Sequence, residues 1–247
     1  MSVINAYFEN LKKLLDRALS TQRDAMEQAA RAMADCLRSG HMIYTTGSGH
    51  GHLLALELFY RAGGMARVCP ILDEKLMLHV DAAASTQWER REDMADLLLE
   101  RYPVGAGDVV IVASNSGRNA VPVFIAKAAR ERGALVIALT SINHSSVVAA
   151  RNSAGLRLFE TADIVLDNGG ILGDASVETA GGMMVGPTST AVGAAMLQAI
   201  VCRVKEIADN EGWQAEFFRS SNIDGGDEYN ETLLEKYGPC IPGLSAR

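Results

Sequence analysis

The strongest constraint on this chain is the run Asp108-Val109-Val110-Ile111-Val112-Ala113, followed at once by Ser114-Asn115-Ser116-Gly117-Arg118-Asn119. Its apolar, β-branched residues do not alternate between a wet and a dry face. Such a run belongs to a strand buried on both sides, and therefore to a parallel sheet covered by helices. The hydroxyl- and amide-rich turn gives way to residues 120–132, which take helical spacing and place Pro122 in the first turn, where a missing N–H costs little. Strand, polar turn and helix make half of a βαβ unit.

The same rhythm recurs along the chain. Strands are expected at 42–46, 66–72, 108–113, 135–140 and 163–166, with helices at 51–61, 90–102, 120–132 and 188–208. This alternation implies a three-layer α/β/α domain on a five-stranded parallel sheet, with the expected order 2-1-3-4-5. Two amphipathic helices, 3–19 and 21–38, come first, the second ending at Gly40 with a C-cap signal. Residues 1–40 therefore read as helices packed on the domain or on another subunit, 41–208 as the domain, and 209–247 as a tail. Segment 73–87 and the tail do not fit the alternation. The tail is acidic and turn-rich yet holds Trp213, Phe217, Phe218, Tyr229 and Tyr237. It reads either as a surface wrap or as a subunit contact.

At 247 residues, 48% of them apolar, the chain can bury a sizeable core. A net charge of −7 with scattered basic residues argues against a nucleic-acid partner. Cys36, Cys69, Cys202 and Cys240 lie far apart with no C-x-x-C spacing, as expected of reduced thiols in a cytoplasmic protein. Residues 1–17 are interrupted by Glu9, Lys12, Lys13 and Asp16 and read as neither signal peptide nor anchor. Residues 180–201 hold Pro187 and several glycines and do not read as a membrane span, so no membrane partner is expected.

The chemistry is expected at the strand ends. In an open parallel sheet, ligands sit beyond the carboxyl ends of the strands where the strand order reverses, here between strands one and three. Strand one ends in Thr45-Thr46-Gly47-Ser48-Gly49-His50-Gly51-His52, a second polar, Gly-rich turn that opens a helix. Two such turns at one crevice would surround an anion with N–H and hydroxyl donors. Helix capping is the simpler reading, since Ser and Asn are preferred caps. One cap residue would suffice, however, and further hydroxyls stand at Thr140, Ser141, Thr188, Ser189 and Thr190. No G-K-[ST] or G-x-G-x-x-G pattern is present, which argues against a nucleotide loop.

These two turns, with this strand order, resemble the sugar isomerase (SIS) domain family. The resemblance covers roughly residues 21–208. It is closest to a stand-alone SIS subfamily that shares Gly47-Ser48-Gly49-His50, Phe59-Tyr60-Arg61-Ala62-Gly63-Gly64 and Asp224-Gly225-Gly226-Asp227. SIS domains bind phosphosugars in phosphoheptose isomerase, in the isomerase half of glucosamine-6-phosphate synthase and in N-acetylmuramic acid 6-phosphate etherase. By position, Ser114, Asn115, Ser116 and Asn119 match the family's phosphate loop, where Thr is more usual at the last place, and Ser48 and Gly49 match its first loop. The resemblance implies a phosphorylated sugar as ligand and a homodimer or homotetramer, and the hydroxyls at the same edge make Thr140, Ser189 and Thr190 further candidate contacts.

An enzyme of this kind needs a base for a proton α to a carbonyl. Glu57 is the first candidate: its helix is apolar nearly all round, and a lone buried carboxylate is costly unless used or paired. The etherase also carries an acidic residue near this helix. Pairing with Arg61 at i+4 is the structural alternative. Glu178 is a second candidate, with an exposed loop carboxylate as its bland reading. His50 could donate a proton to a sugar oxygen. The His50-Gly51-His52 pair has no third metal ligand spaced beside it, so no metal and no cofactor is assigned. His79, in the irregular segment, reads as an ordinary loop histidine or one reaching a pocket. The expected function is an aldose–ketose isomerase or an etherase-type lyase. The alternative is a non-catalytic phosphosugar sensor. SIS domains also occur in transcription regulators, but no helix-turn-helix or basic segment stands before the domain in this sequence.

Overall fold

The computed structural model describes residues 2–245. In chain order the elements begin with α1 (Val3–Thr21), α2 (Arg23–Arg38), β1 (Ile43–Gly47), α3 (Gly51–Glu57) and β2 (Val68–Ile71). A single 3-10 turn, Glu74–Leu76, leads to α4 (Leu78–Trp88), α5 (Asp93–Arg101), β3 (Val109–Ala113), α6 (Ala120–Glu131) and β4 (Leu135–Thr140). Then come α7 (Ile142–Ser145), α8 (Leu158–Thr161), β5 (Ile164–Asp167), β6 (Ala175–Glu178), β7 (Met184–Pro187), α9 (Ser189–Asn210) and α10 (Gly226–Tyr237).

Strands β1 to β5 form one parallel sheet in the order β2-β1-β3-β4-β5. The β-branched runs that announced the sheet serve both of its faces. Val109, Ile111 and Ala113 join one apolar cluster with Met33 of α2 and Met196 and Ile200 of α9. Val110 and Val112 join the other, with Leu98 of α5 and Ile125 of α6. Period-two alternation of side chains thus supplies two cores from one run, and helices close both faces.

Three segments depart from the expectation. Helix α3 stops at Glu57 rather than continuing to residue 61, because Tyr60 takes a left-handed φ of 45° and the chain turns back through Gly63 and Gly64. Segment 73–87 is not irregular: it forms the 3-10 turn and α4, which kinks at Asp81, whose side chain caps the second half by accepting from the Ala84 N–H at 2.9 Å. The tail is not a surface wrap. Phe218, Leu233, Tyr237, Ile241 and Leu244 are buried in the same cluster as Tyr44 and Leu98. Tyr237 also accepts from Arg67 at 3.0 Å and donates to Glu216. Between β5 and α9 an unforeseen antiparallel hairpin, β6–β7, leans on α1. Among the described residues, no helix is long and apolar enough to cross a membrane.

Candidate functional site

Register brings the two polar turns together. Gly47, the last residue of β1, pairs with Ala113, the last of β3, so both turns leave the sheet side by side at its carboxyl edge. Two glycines permit that closeness. A Cβ on Gly51 would lie 2.5 Å from the Ala113 carbonyl oxygen, and one on Gly47 would lie 2.4 Å from the Gly51 backbone. Between the turns opens a cavity of about 360 Å³, lined by Ser48, Gly49, His50, Glu89, Ser114, Asn115, Ser116, His144, Asn168, Asp174, Ser189 and Thr190 among others.

The Ser114–Asn119 turn is held from behind and open in front. Thr140 and the Ser141 N–H both donate to the Asn115 carbonyl at 3.1 Å, and Ser145 donates to the Ser116 carbonyl at 2.8 Å. Among the described residues, the N–H groups of Asn115 and Ser116 meet no protein acceptor. Gly117, at φ 57°, reverses the chain where a Cβ would strike Ser145 and Leu158. Thr140, expected as a ligand contact, is fully buried and braces this turn instead.

A residue absent from the sequence-based candidates joins the two turns. Glu89, at the end of α4, accepts from the Ser48 hydroxyl at 2.7 Å through one carboxylate oxygen and from the Asn119 amide at 2.6 Å through the other. Its own carbonyl accepts from the Val121 N–H at the start of α6. Asn119 is 7% exposed, and its Oδ1 has no partner. In the sequence Glu89 sits in the charged stretch Glu89-Arg90-Arg91-Glu92-Asp93, which looks like a solvated helix face. Only its place one residue after α4 sets it apart, and α4 itself was not foreseen.

Glu57, the first candidate base, stands apart from the cavity. It is not among the residues lining the cavity. The cavity reaches along α3 only to Leu54, and Glu57 lies three residues further, about 4.5 Å along the helix axis. There the carboxylate is paired with Arg61 at 3.1 Å and accepts from Gln198 of α9 at 3.0 Å. The premise also fails: Leu53 and Leu56 are exposed, so α3 is not buried all round. Glu178 lies on β6 with an exposed side chain and does not line the cavity. Ser189 lines it, but its hydroxyl donates to Asp174 at 2.5 Å, and the same carboxylate accepts the Thr188 and Ser189 N–H groups. The amino end of α9 is therefore capped from within. Asp174 holds this position in a left-handed conformation, φ 68°.

Two imidazoles line the cavity. His50 is exposed at its edge, whereas His52 is buried with Nδ1 against the Gly49 carbonyl and its ring beside His79. His144, carried by the short α7 that Ser141 caps, has a buried Nδ1 with no partner. Burial pushes its imidazole below the usual range. Asp174 opposes that shift and Arg118 adds to it.

The model of the SIS domain matches residues 6–141, more than half of the chain. The chain belongs to the SIS domain family. A UPF0309 protein of Listeria innocua is 41% identical over 98% of this chain and 98% of its own length. Among solved structures, phosphoheptose isomerase from Neisseria gonorrhoeae superposes with a TM-score of 0.52 at 20% identity, covering 82% of this chain and 97% of that one. The Vibrio vulnificus NanR protein complexed with ManNAc-6P gives 0.54 at 16% identity, covering 98% of this chain and 71% of that one. At these identities the structural likeness carries the fold.

Proposed function

We propose that the cavity binds a phosphorylated sugar and that Glu89 acts on it as a base. One observation carries this reading: a carboxylate is suspended between the two turns, beside a turn whose Asn115 and Ser116 N–H groups lack protein acceptors. Those N–H groups, with the hydroxyls of Ser114 and Ser116 and the Asn115 amide, suit the phosphate. The Ser48 hydroxyl and Asn119 amide, expected as phosphate ligands, orient Glu89 instead. The carboxylate would take the proton next to the carbonyl of the open-chain sugar, the C–H electron pair passing into an enediol. His50, at the edge of the cavity, would give a proton to a sugar oxygen. Return of the proton at the neighbouring carbon gives aldose–ketose isomerisation, and loss of a β-substituent gives an etherase-type lyase. The solved relatives named above, an isomerase and a protein holding ManNAc-6P, accord with such a ligand. The exposed Ile4, Phe8 and Leu19 of α1 suit a second copy of the chain, as a homo-oligomer requires.

The test is a thermal-shift screen of sugar phosphates, amino-sugar phosphates, their unphosphorylated counterparts and nucleotides, followed by turnover assays on each hit. A ligand at a hundred times its dissociation constant adds about 2.7 kcal/mol. Stabilisation by a sugar phosphate but not by the free sugar supports the site. Turnover that falls by about 10²–10⁴ in Glu89→Gln with binding kept supports the base. Binding without turnover of any hit assigns the cavity to sensing. Stabilisation by nucleotides alone would sink the phosphosugar reading.

A further inference from the structure

One polar side chain at the cavity is used neither by the fold nor by the proposed reaction. His144 lines the cavity, yet among the described residues neither of its ring nitrogens has a protein partner. Nδ1 is sealed from solvent, whereas Nε2 is not. The backbone beneath the ring is tied down along its length. The Ser141 hydroxyl accepts the His144 N–H at 3.2 Å and donates to the Gly170 carbonyl at 2.5 Å. Asp167 accepts the Ile142 N–H at 2.9 Å, and the Asn143 amide donates to the Gly169 carbonyl at 3.1 Å. An ordered frame thus presents a ring that the chain itself leaves unbonded.

The sealed nitrogen decides what the ring offers. Burial pushes the imidazole below its usual range, so near neutral pH it carries one N–H and one bare nitrogen. A proton on Nδ1 would be a buried donor without an acceptor, which is rarer and costlier than an acceptor left bare. The proton therefore belongs on Nε2, the accessible nitrogen.

Strand order places that donor. In the sheet β3 lies between β1 and β4, so the Ser114–Asn119 turn leaves it between the Ser48 turn and α7. Glu89 is held by Ser48, on the β1 side. His144 comes from the β4 side, beside Ser116, whose carbonyl is held by the neighbouring Ser145 at 2.8 Å. A phosphate on the free N–H groups of Asn115 and Ser116 would have the base on one flank and His144 on the other. Asp174, the carboxylate that acts on His144, is occupied by the Thr188 and Ser189 N–H groups and the Ser189 hydroxyl.

We propose that His144 is a phosphate-binding residue, its Nε2–H donating to a phosphoryl oxygen on the side of the turn away from Glu89. This rests on the phosphosugar reading and adds a division of labour to it: His144 contributes to binding, and Glu89 to proton transfer.

The experiment is titration calorimetry of the full chain with inorganic phosphate and with fructose 6-phosphate, in wild type, His144→Ala and His144→Gln. Glutamine can set an amide N–H near the place of Nε2. The expected result in His144→Ala is affinity lowered by about ten- to a hundredfold, by the same factor for both probes, with His144→Gln within about threefold of wild type. Without ligand, Tm in both variants is expected within about 2 °C of wild type, because the ring holds nothing; a larger fall in both assigns it to the fold and overturns the proposal. In the 15N-labelled empty protein, ring correlations are expected to show the Nε2–H form, and an Nδ1–H form overturns the placement of the donor. Unchanged affinity in His144→Ala overturns the role of His144 and leaves the phosphosugar reading standing. Loss of fructose 6-phosphate with inorganic phosphate kept moves the contact to the sugar and overturns the phosphate assignment. Binding of neither probe to wild type overturns both readings.

Discussion

Replacing Glu89 by alanine tests the joint on which the site is built. The carboxylate makes two short hydrogen bonds, at 2.7 Å to Ser48 and 2.6 Å to Asn119. Asn119 suffers most from its loss: it is 7% exposed, its Oδ1 is already unpartnered, and its Nδ2 would be left unpartnered as well. Stranding a buried polar group costs about 1–3 kcal/mol, and losing the charge-assisted bond to Ser48 adds about 1 kcal/mol more. The sum, about 2–4 kcal/mol, lowers Tm by about 5–15 °C for a chain of this size. Glu89→Gln keeps one acceptor oxygen and so loses about half of this. The assay is differential scanning calorimetry of the three proteins at one concentration, without ligand. If Glu89→Ala melts within about 2 °C of wild type, the carboxylate does not hold the two turns together. The argument from its geometry would then be refuted whatever the turnover data show.

Two further expectations concern stability and reactivity. Leu233 of α10 is 4% exposed within the apolar cluster, so Leu233→Ala costs about 2–5 kcal/mol and lowers Tm by about 4–20 °C, whereas a tail lying on the surface would leave Tm unchanged. Burial pushes the Cys36 and Cys69 thiols up to about 12, while Cys202 and Cys240 are exposed. A maleimide near neutral pH is therefore expected to label Cys202 and Cys240 in the native protein and all four cysteines only in denaturant, as read by intact mass. Rapid native labelling of Cys36 or Cys69 would contradict the packing of β2 and α2.

The sheet, its two covering layers and the two polar turns were legible in the amino-acid sequence because each depends on local signals. Val109 to Val112 offer no polar face, and Ser114 to Asn119 cannot continue either a strand or a helix. Those features set which backbone edge carries the cavity. Tertiary structure alone decided which carboxylate reaches it. Glu57 looked buried because its neighbours in sequence are apolar, yet Leu53 and Leu56 face outward and Arg61 and Gln198 occupy its charge. Glu89 looked solvated because its neighbours are charged, yet it closes a hydrogen-bonded bridge to residues 41 positions before it and 30 after it. Periodicity reports the face a residue presents within its own element. Convergence of side chains from β1, α4 and the turn after β3 depends on sheet register and on a kinked helix, and neither leaves a repeat in the sequence.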